Sequence, residues 1–437
     1  MKRKLRIVVV SACPFPFPRG TPVRALRLTE ALARLGHDMH VATYHLGEGP
    51  VDPSVRVHRL RAPRGIAPLQ PGPTPGKLFV LDPLLLGTLH RTLTRYGPFD
   101  VIHAHHYEGL LIALATRRLR RRAIPLVYDA HTLLGSELPS YPVPAPRAFR
   151  RTIGRVFDRW LPGRADHIVA VSDSILERLV ASGAAPPGRV TVIANGIEPE
   201  AFAASPRRRA PTADGGTVVY AGNLAPYHRV DLLLEAFAHV VARRPRASLR
   251  LLTDSPSASV AQHAARLGLA SRVEVRSVPF SALPYELAAA DVAVNPRPVC
   301  DGIPQKNLNY MAAGLPLVAF EGSLHPCRDG ETGTAVRTVG ATDLGEAILE
   351  MLSMPDRAAR IGESAQDLAR RAFSWDERAE RVERIYRALM PDRSGARAIT
   401  PISDDEDPAA VAGGGFGRTG ARGPFSAADP GRESEPP

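Results

Sequence analysis

Three stretches of this chain gather side chains suited to chemistry where apolar runs end. Asp100-Val-Ile-His103-Ala-His105-His106 and Tyr128-Asp129-Ala130-His131-Thr132 each pass from apolar residues into imidazoles. If each run is a strand of a parallel sheet, its polar end lies at the carboxyl edge, where ligands of open α/β sheets collect. Core packing gives no reason for His131 there, so it is read as an active-site group. His103 and His105 share one strand face. The sequence around them offers no carboxylate or cysteine to complete a zinc-type set, so no metal is expected.

The third stretch, Asn295-Pro-Arg297-Pro-Val-Cys-Asp301-Gly302-Ile-Pro304-Gln-Lys306-Asn307-Leu308-Asn309-Tyr-Met-Ala-Ala-Gly314, is the richest. Pro304 suits a helix start and Gly314 its end. Lys306 then falls in the first turn, where a cation opposes the helix dipole and a bound diphosphate is the economical reason for it. Lysine is scarce, with only Lys2, Lys4, Lys77 and Lys306 among 56 basic residues. Upstream, Tyr220-Ala-Gly222-Asn223-Leu224 leads to His228-Arg229. Gly222 permits close backbone approach, and Asn223, His228 and Arg229 can hydrogen-bond an anion.

These groups need a scaffold, and 437 residues suffice for two domains, each with its own core. Strands are expected at Ile7–Ala12, Met39–Tyr44, Val101–Ala104, Pro125–Asp129, His167–Val171 and Val190–Ile193. A second series is expected at Val218–Ala221, Leu249–Thr253, Val273–Val275, Val292–Asn295 and Leu317–Phe320. Helical patterns lie between them, starting with Val23–Leu35, which Gly36 stops. This alternation predicts an α/β fold of two doubly wound, Rossmann-like domains. The expected boundaries are 1–200 for the N-terminal domain, 201–216 for a linker and 217–373 for the C-terminal domain. A helix over 374–391 can cross back to the first domain, and a disordered tail fills 392–437.

The first strand-to-helix turn, Cys13-Pro-Phe-Pro-Phe-Pro-Arg-Gly20-Thr21-Pro22, lacks the G-x-G-x-x-G of a dinucleotide oxidoreductase. Gly20 and Thr21 either cap the helix or form a loop that holds an acceptor. The three cysteines have neither disulfide nor metal spacing, which points to a reducing, cytoplasmic setting. Met1–Val10 is basic and then apolar, but its run breaks at Cys13-Pro14-Phe15-Pro16 and is read as a first buried strand rather than a leader. The net charge of +12 suits an anionic partner.

Taken together, Asp100-Val-Ile-His-Ala-His, Ala165-Asp-His-Ile-Val-Ala-Val-Ser172, Val192-Ile-Ala-Asn195-Gly196-Ile, Gly222-Asn-Leu and Asp301-Gly-Ile-Pro with Met311-Ala-Ala-Gly-Leu-Pro316 resemble the retaining glycosyltransferases of family 4. The resemblance runs from about Arg6 to Met390 and implies a GT-B fold, its two Rossmann-like domains facing across a cleft. It implies transfer of a sugar, with retention, from a nucleotide-diphosphate sugar to a glycan or lipid-linked acceptor, in cell-surface polysaccharide or glycolipid biosynthesis. By the resemblance His131 and Asp301 are catalytic, His131 at the reacting sugar and Asp301 at sugar hydroxyls. Gly20 and Thr21 lie on the acceptor side. The donor is held by Gly222, Asn223, His228, Arg229, Arg297, Lys306, Asn307, Leu308 and Asn309, with Asn309 at the ribose. Where the family usually places an arginine and a lysine after the glycine, this chain has Asn223 and His228. Asp301 and Asn309 replace the family's paired glutamates. Lys306, Arg229 and Arg297 are expected to supply the missing charge. No cofactor and no nucleic acid are expected.

Two other functions share these features. A nucleotide-sugar epimerase of the same fold would turn over donor without acceptor. A noncatalytic anion-binding protein is suggested by Arg117-Arg118-Leu-Arg120-Arg121-Arg122, although a solvated face explains that run as well. Arg147–Trp160 spaces Phe149, Ile153, Val156, Phe157 and Trp160 along one helical face amid arginines. It reads either as a helix packed on the first domain or as an interfacial helix that meets an anionic membrane. No run approaches the ~20 apolar residues of a membrane span, so any attachment is peripheral, at the inner membrane face.

Overall fold

The computed structural model describes residues 3–17, 21–61, 77–120, 123–140, 145–203, 214–300 and 303–390. Two parallel sheets form the framework. The first has strands β1 (Arg6–Ser11), β2 (Asp38–Thr43), β3 (Arg56–Arg59), β4 (Val101–His105), β5 (Leu126–Ala130), β6 (His167–Ala170) and β7 (Val190–Val192). Their order is β3-β2-β1-β4-β5-β6-β7. The second has β8 (Gly215–Ala221), β9 (Arg246–Leu252), β10 (Val273–Arg276), β11 (Val292–Asn295), β12 (Leu317–Phe320) and β13 (Thr334–Val336), ordered β10-β9-β8-β11-β12-β13. Each order reverses beside its first strand, which puts one crevice beyond β1 and β4 and another beyond β8 and β11.

The inner strands β1, β11 and β12 are apolar along nearly their whole length because helices cover both faces. In β1, Val8 and Val10 face a core built with helices 82–96 and 106–120. Ile7 and Val9 face the opposite core, shared with helix Thr21–Arg34 and, from the far end of the chain, Trp375, Val382, Ile385 and Tyr386. Helix Trp375–Ala388 thus closes one face of the first sheet. Burying Val382 and Ile385 there contributes about 1.5–3 kcal/mol each. In the second sheet, Val218 and Tyr220 pack toward helices 230–243 and 341–353. Val219 and Ala221 pack toward helix Gln305–Ala312 and the inner residues of helix Pro355–Ala372.

The expected strands are present within a few residues of their predicted ends, and β3 and β13 are additional. Both are short edge strands. Arg56-Val-His-Arg59 is too polar to read as a buried run, as edge strands commonly are. Gly20, Asp301, most of the expected linker and the tail beyond residue 390 lie outside the described residues.

The chain crosses between the domains at Asn195-Gly196. Ile197 and Ser374 pair as an isolated bridge, with Ile197 N donating to Phe373 O at 2.7 Å. A Cβ on Gly196 would lie 2.6 Å from the Trp375 ring, so the crossing fits tightly against the returning helix. Gln305 Nε2 donates to Gly196 O at 3.2 Å, which joins the start of helix Gln305–Ala312 to this crossing.

Candidate active site

The first half of the site forms where β4 and β5 end. Asp129 is fully buried, and Arg24, from the first helix, reaches it with Nε 3.0 and 3.1 Å from the two carboxylate oxygens. Arg24 also donates to the carbonyls of Ile193 and Ala194 and to Asn195 Oδ1, which ties the pair to the domain crossing. Burial alone would raise the Asp129 carboxyl, but the guanidinium overrides it and holds Asp129 well below the usual carboxylate range. A carboxylate therefore sits fixed beneath the histidines.

His103 stacks on His105 with ring centroids 4.6 Å apart, and its Nδ1 is 2.5 Å from the Tyr386 hydroxyl on the returning helix. His105 Nδ1 lies 3.0 Å from His131 Nε2, which is itself 3.5 Å from Asp129 Oδ1. Burial pushes His131 down to about 3 against the opposing pull of Asp129. His131 is thus a neutral imidazole at ordinary pH, oriented by an anion and able to hydrogen-bond rather than to carry charge. Asp129 also brings His103 and His105 the carboxylate that local sequence did not offer, since donor atoms of all three lie within 4.8 Å. Its oxygens already face Arg24, and a metal ion would have to compete with that guanidinium. Thr21 is the first residue of the adjoining helix rather than a residue before it.

The second half forms where β8 ends. Gly222 has φ +151, and a Cβ there would lie 3.0 Å from Lys306 Nζ. Lys306 donates to the Tyr220 hydroxyl at 3.0 Å, lies 4.1 Å from the centre of that ring and is 3.4 Å from His228 Nδ1. Ala221 N donates to the Tyr310 hydroxyl at 2.7 Å, which pins the helix carrying Lys306 to the end of β8. Burial, and after it the charge of Arg297, lowers Lys306 to about 7. Burial and Lys306 lower His228 to about 4. Lys306 and Arg297 therefore bring positive charge to a helix N-terminus, a place that favours an anion, with the neutral His228 imidazole beside Lys306.

The other expected donor residues are placed differently. Arg297 lies 5.1 Å from the Tyr227 ring centre and donates from Nε to Val299 O. Arg229, itself at φ +53, directs Nε to both oxygens of Asp231 at 3.1 Å. Asn223 is exposed, and its Oδ1 accepts the Ala225 amide. Asn307 turns inward and donates to the carbonyls of Ser323 and His325 at 2.8 Å, while Leu308 is buried in the core. The Asn307 amide bonds Pro304 O, so a ligand at this helix end would meet the amides of Gln305 and Lys306. Asn309, one turn from Lys306 on the same helix, is buried with Oδ1 unpartnered among the described residues. Such an atom is costly unless a ligand donor reaches it.

Arg24, Tyr220 and Tyr386 are site residues that sequence reading did not single out. Arg24 carried a signal: it lies four residues before Leu28, on the apolar stripe of its helix. Tyr386 carried none, because 283 residues separate it from His103.

Two parallel α/β domains joined at one crossing, with histidines at strand ends of the first and a cation-bearing helix end in the second, have the architecture of the GT-B fold. The sequence pattern described as Glycosyltransferase Family 4 matches residues 18–201, and that described as Glycosyl transferases group 1 matches residues 215–354. The chain is 27% identical over 429 residues to D-inositol 3-phosphate glycosyltransferase 2 of Catenulispora acidiphila, covering 91% of this chain and 97% of that protein. It is 30% identical over 334 residues to D-inositol 3-phosphate glycosyltransferase of Stackebrandtia nassauensis, covering 69% and 72%. Among solved structures, sucrose-phosphate synthase of Thermosynechococcus elongatus superposes with a TM-score of 0.70 at 21% identity, over 88% of this chain and 99% of that one. Anabaena HepE in complex with UDP-glucose does so with 0.63 at 16%, over 88% and 100%. The chain belongs to glycosyltransferase family 4 and is a glycosyltransferase of GT-B fold.

Proposed function

We propose that this chain transfers a sugar from a nucleoside-diphosphate sugar to an acceptor hydroxyl with retention of anomeric configuration, in cell-surface polysaccharide or glycolipid biosynthesis. The observation that carries the donor half is the cluster of Lys306, His228 and Arg297 beside Gly222 at the start of helix Gln305–Ala312. The diphosphate lies against Lys306 and the amides of Gln305 and Lys306, with a ribose hydroxyl donating to Asn309 Oδ1. Arg229, held by Asp231, swings in only if the donor outcompetes that partner. As the bond from the anomeric carbon to phosphate breaks, fixed positive groups stabilise the departing diphosphate. The acceptor oxygen bonds the same face of that carbon, and its proton passes to the leaving phosphate oxygen. His131, neutral and fixed from the other domain, hydrogen-bonds the reacting sugar. Because the relatives above are named for D-inositol 3-phosphate, a phosphorylated polyol joins glycans and lipid-linked sugars in the acceptor screen.

Calorimetric titration with nucleoside diphosphates tests the donor half. Lys306→Ala should weaken binding about tenfold to hundredfold, the range of a lost charge-assisted hydrogen bond. Lys306 is lowered to about 7 in the free protein, and a bound diphosphate raises it again. Below that pH the lysine is already protonated and affinity is at its plateau. Above it, binding requires proton uptake, so affinity falls by up to about tenfold per pH unit until the bound-state value is reached. Lys306→Arg should flatten this profile. A wild-type profile that is flat through the same range, or a Lys306→Ala protein with native affinity, refutes the assignment.

Transfer should also persist in EDTA. The one metal-type trio among the described residues, His103, His105 and Asp129, lies in the other domain with its carboxylate held by Arg24, and Lys306 supplies charge at the diphosphate. Complete loss of activity, restored by added metal, would overturn this expectation.

A further inference from the structure

Helix Arg147–Trp160 is built in the reverse of the usual surface pattern. Among its residues only Gly154 is buried, whereas Phe149, Val156 and Trp160 are 57%, 60% and 58% exposed. A helix turns ~100° per residue, which places Val156 nearly opposite Gly154 and makes the outward ridge the apolar one. The inner side is held at backbone level. A Cβ on Gly154 would lie 2.5 Å from Gly135 Cα, and Asp158 accepts the amides of Leu134 and Gly135 at 2.8 and 2.7 Å.

On the shoulder between the packed side and the ridge, Arg147, Arg151, Arg155 and Arg159 follow one another at four-residue spacing. With Arg178 they line a cavity of about 810 Å³. Like charges at that spacing disfavour the bare helix. Among the described residues the one acid lining the cavity is Asp158, which the two amides already engage. An anion stabilises such a shoulder, and an apolar phase stabilises such a ridge.

We infer that this helix docks the protein on a bilayer with anionic headgroups, the phosphates entering the arginine cavity while Phe149, Val156 and Trp160 enter the acyl boundary. Among the described residues no helix is long and apolar enough to cross a membrane, so the contact is interfacial. The surface lies next to the site, since Leu134 and Gly135, which the helix grips, are three and four residues after His131. Docking would present the acceptor side of the cleft to a lipid-linked hydroxyl. It rests on the exposure and charge of this helix and not on the donor assignment.

Flotation of the full chain with vesicles of phosphatidylcholine, alone or mixed with phosphatidylglycerol, tests it. Wild type should float only with the mixed vesicles, and less so as salt rises. A triple Phe149→Ser, Val156→Ser, Trp160→Ser variant and a triple Arg147→Glu, Arg151→Glu, Arg155→Glu variant should each bind about tenfold more weakly or worse. Both should keep the native circular-dichroism melting profile and native nucleotide binding. Failure of wild type to float with anionic vesicles at low salt overturns docking while leaving nucleotide binding and transfer as they are. Native flotation by either triple variant overturns it too, because vesicle binding would then not run through this helix.

Discussion

His131→Ala should lower the transfer rate by about 10²- to 10³-fold, the usual cost of losing one preorganised polar group at a reacting centre. Nucleotide affinity should stay within about twofold of native, a difference well under 1 kcal/mol. The reason is positional. His131 stands at the end of β5, bonded to His105 and oriented by Asp129, whereas the diphosphate groups stand on the second sheet. Equal losses of rate and nucleotide affinity in a folded His131→Ala protein would place the histidine on the donor side instead. Because burial holds His131 near 3, its protonation should leave no mark on the rate between ordinary acidic and neutral pH.

Arg24→Ala should destabilise the protein by about 3–5 kcal/mol, because it leaves the fully buried Asp129 without its counter-charge. That is a large part of the about 5–15 kcal/mol that commonly holds a folded protein together. Denaturant unfolding of the two proteins at neutral pH measures it. The pH dependence has a definite sign: Asp129 is depressed in the folded state, so its stabilisation is present above the ordinary carboxylate range and is lost as pH falls through the folded value. Combining Arg24→Met with Asp129→Leu should recover much of the stability and none of the activity, since an apolar pair of similar volume replaces a buried ion pair at little cost. A single Arg24→Ala variant within about 1 kcal/mol of native would show that water or a histidine takes over the arginine's role.

The sheets were legible because a strand buried on both faces must be apolar from end to end, as Val8-Val9-Val10 and Val318-Ala319-Phe320 are. Edge strands escape that requirement, and Arg56–Arg59 went unread for it. Lys306 was legible because a cation in a first helical turn contradicts the local field. The Arg24–Asp129 pair and the Tyr386–His103 contact were not, since 105 and 283 residues separate the partners and only the strand order and the returning helix bring them together. Helix Arg147–Trp160 shows the boundary most clearly. Its spacing gives an apolar stripe and an arginine stripe, but the glycine contact between Gly154 and Gly135 decides which side packs.

Retaining transfer from a nucleoside-diphosphate donor is read in one experiment by proton NMR of the reaction mixture. With a donor and an acceptor chosen by the screen, the anomeric signal of the donor should be replaced by one glycoside signal of the same configuration, with nucleoside diphosphate released in equal amount and only when acceptor is present. A glycoside of the opposite configuration, or donor converted to another sugar nucleotide without acceptor, would contradict it.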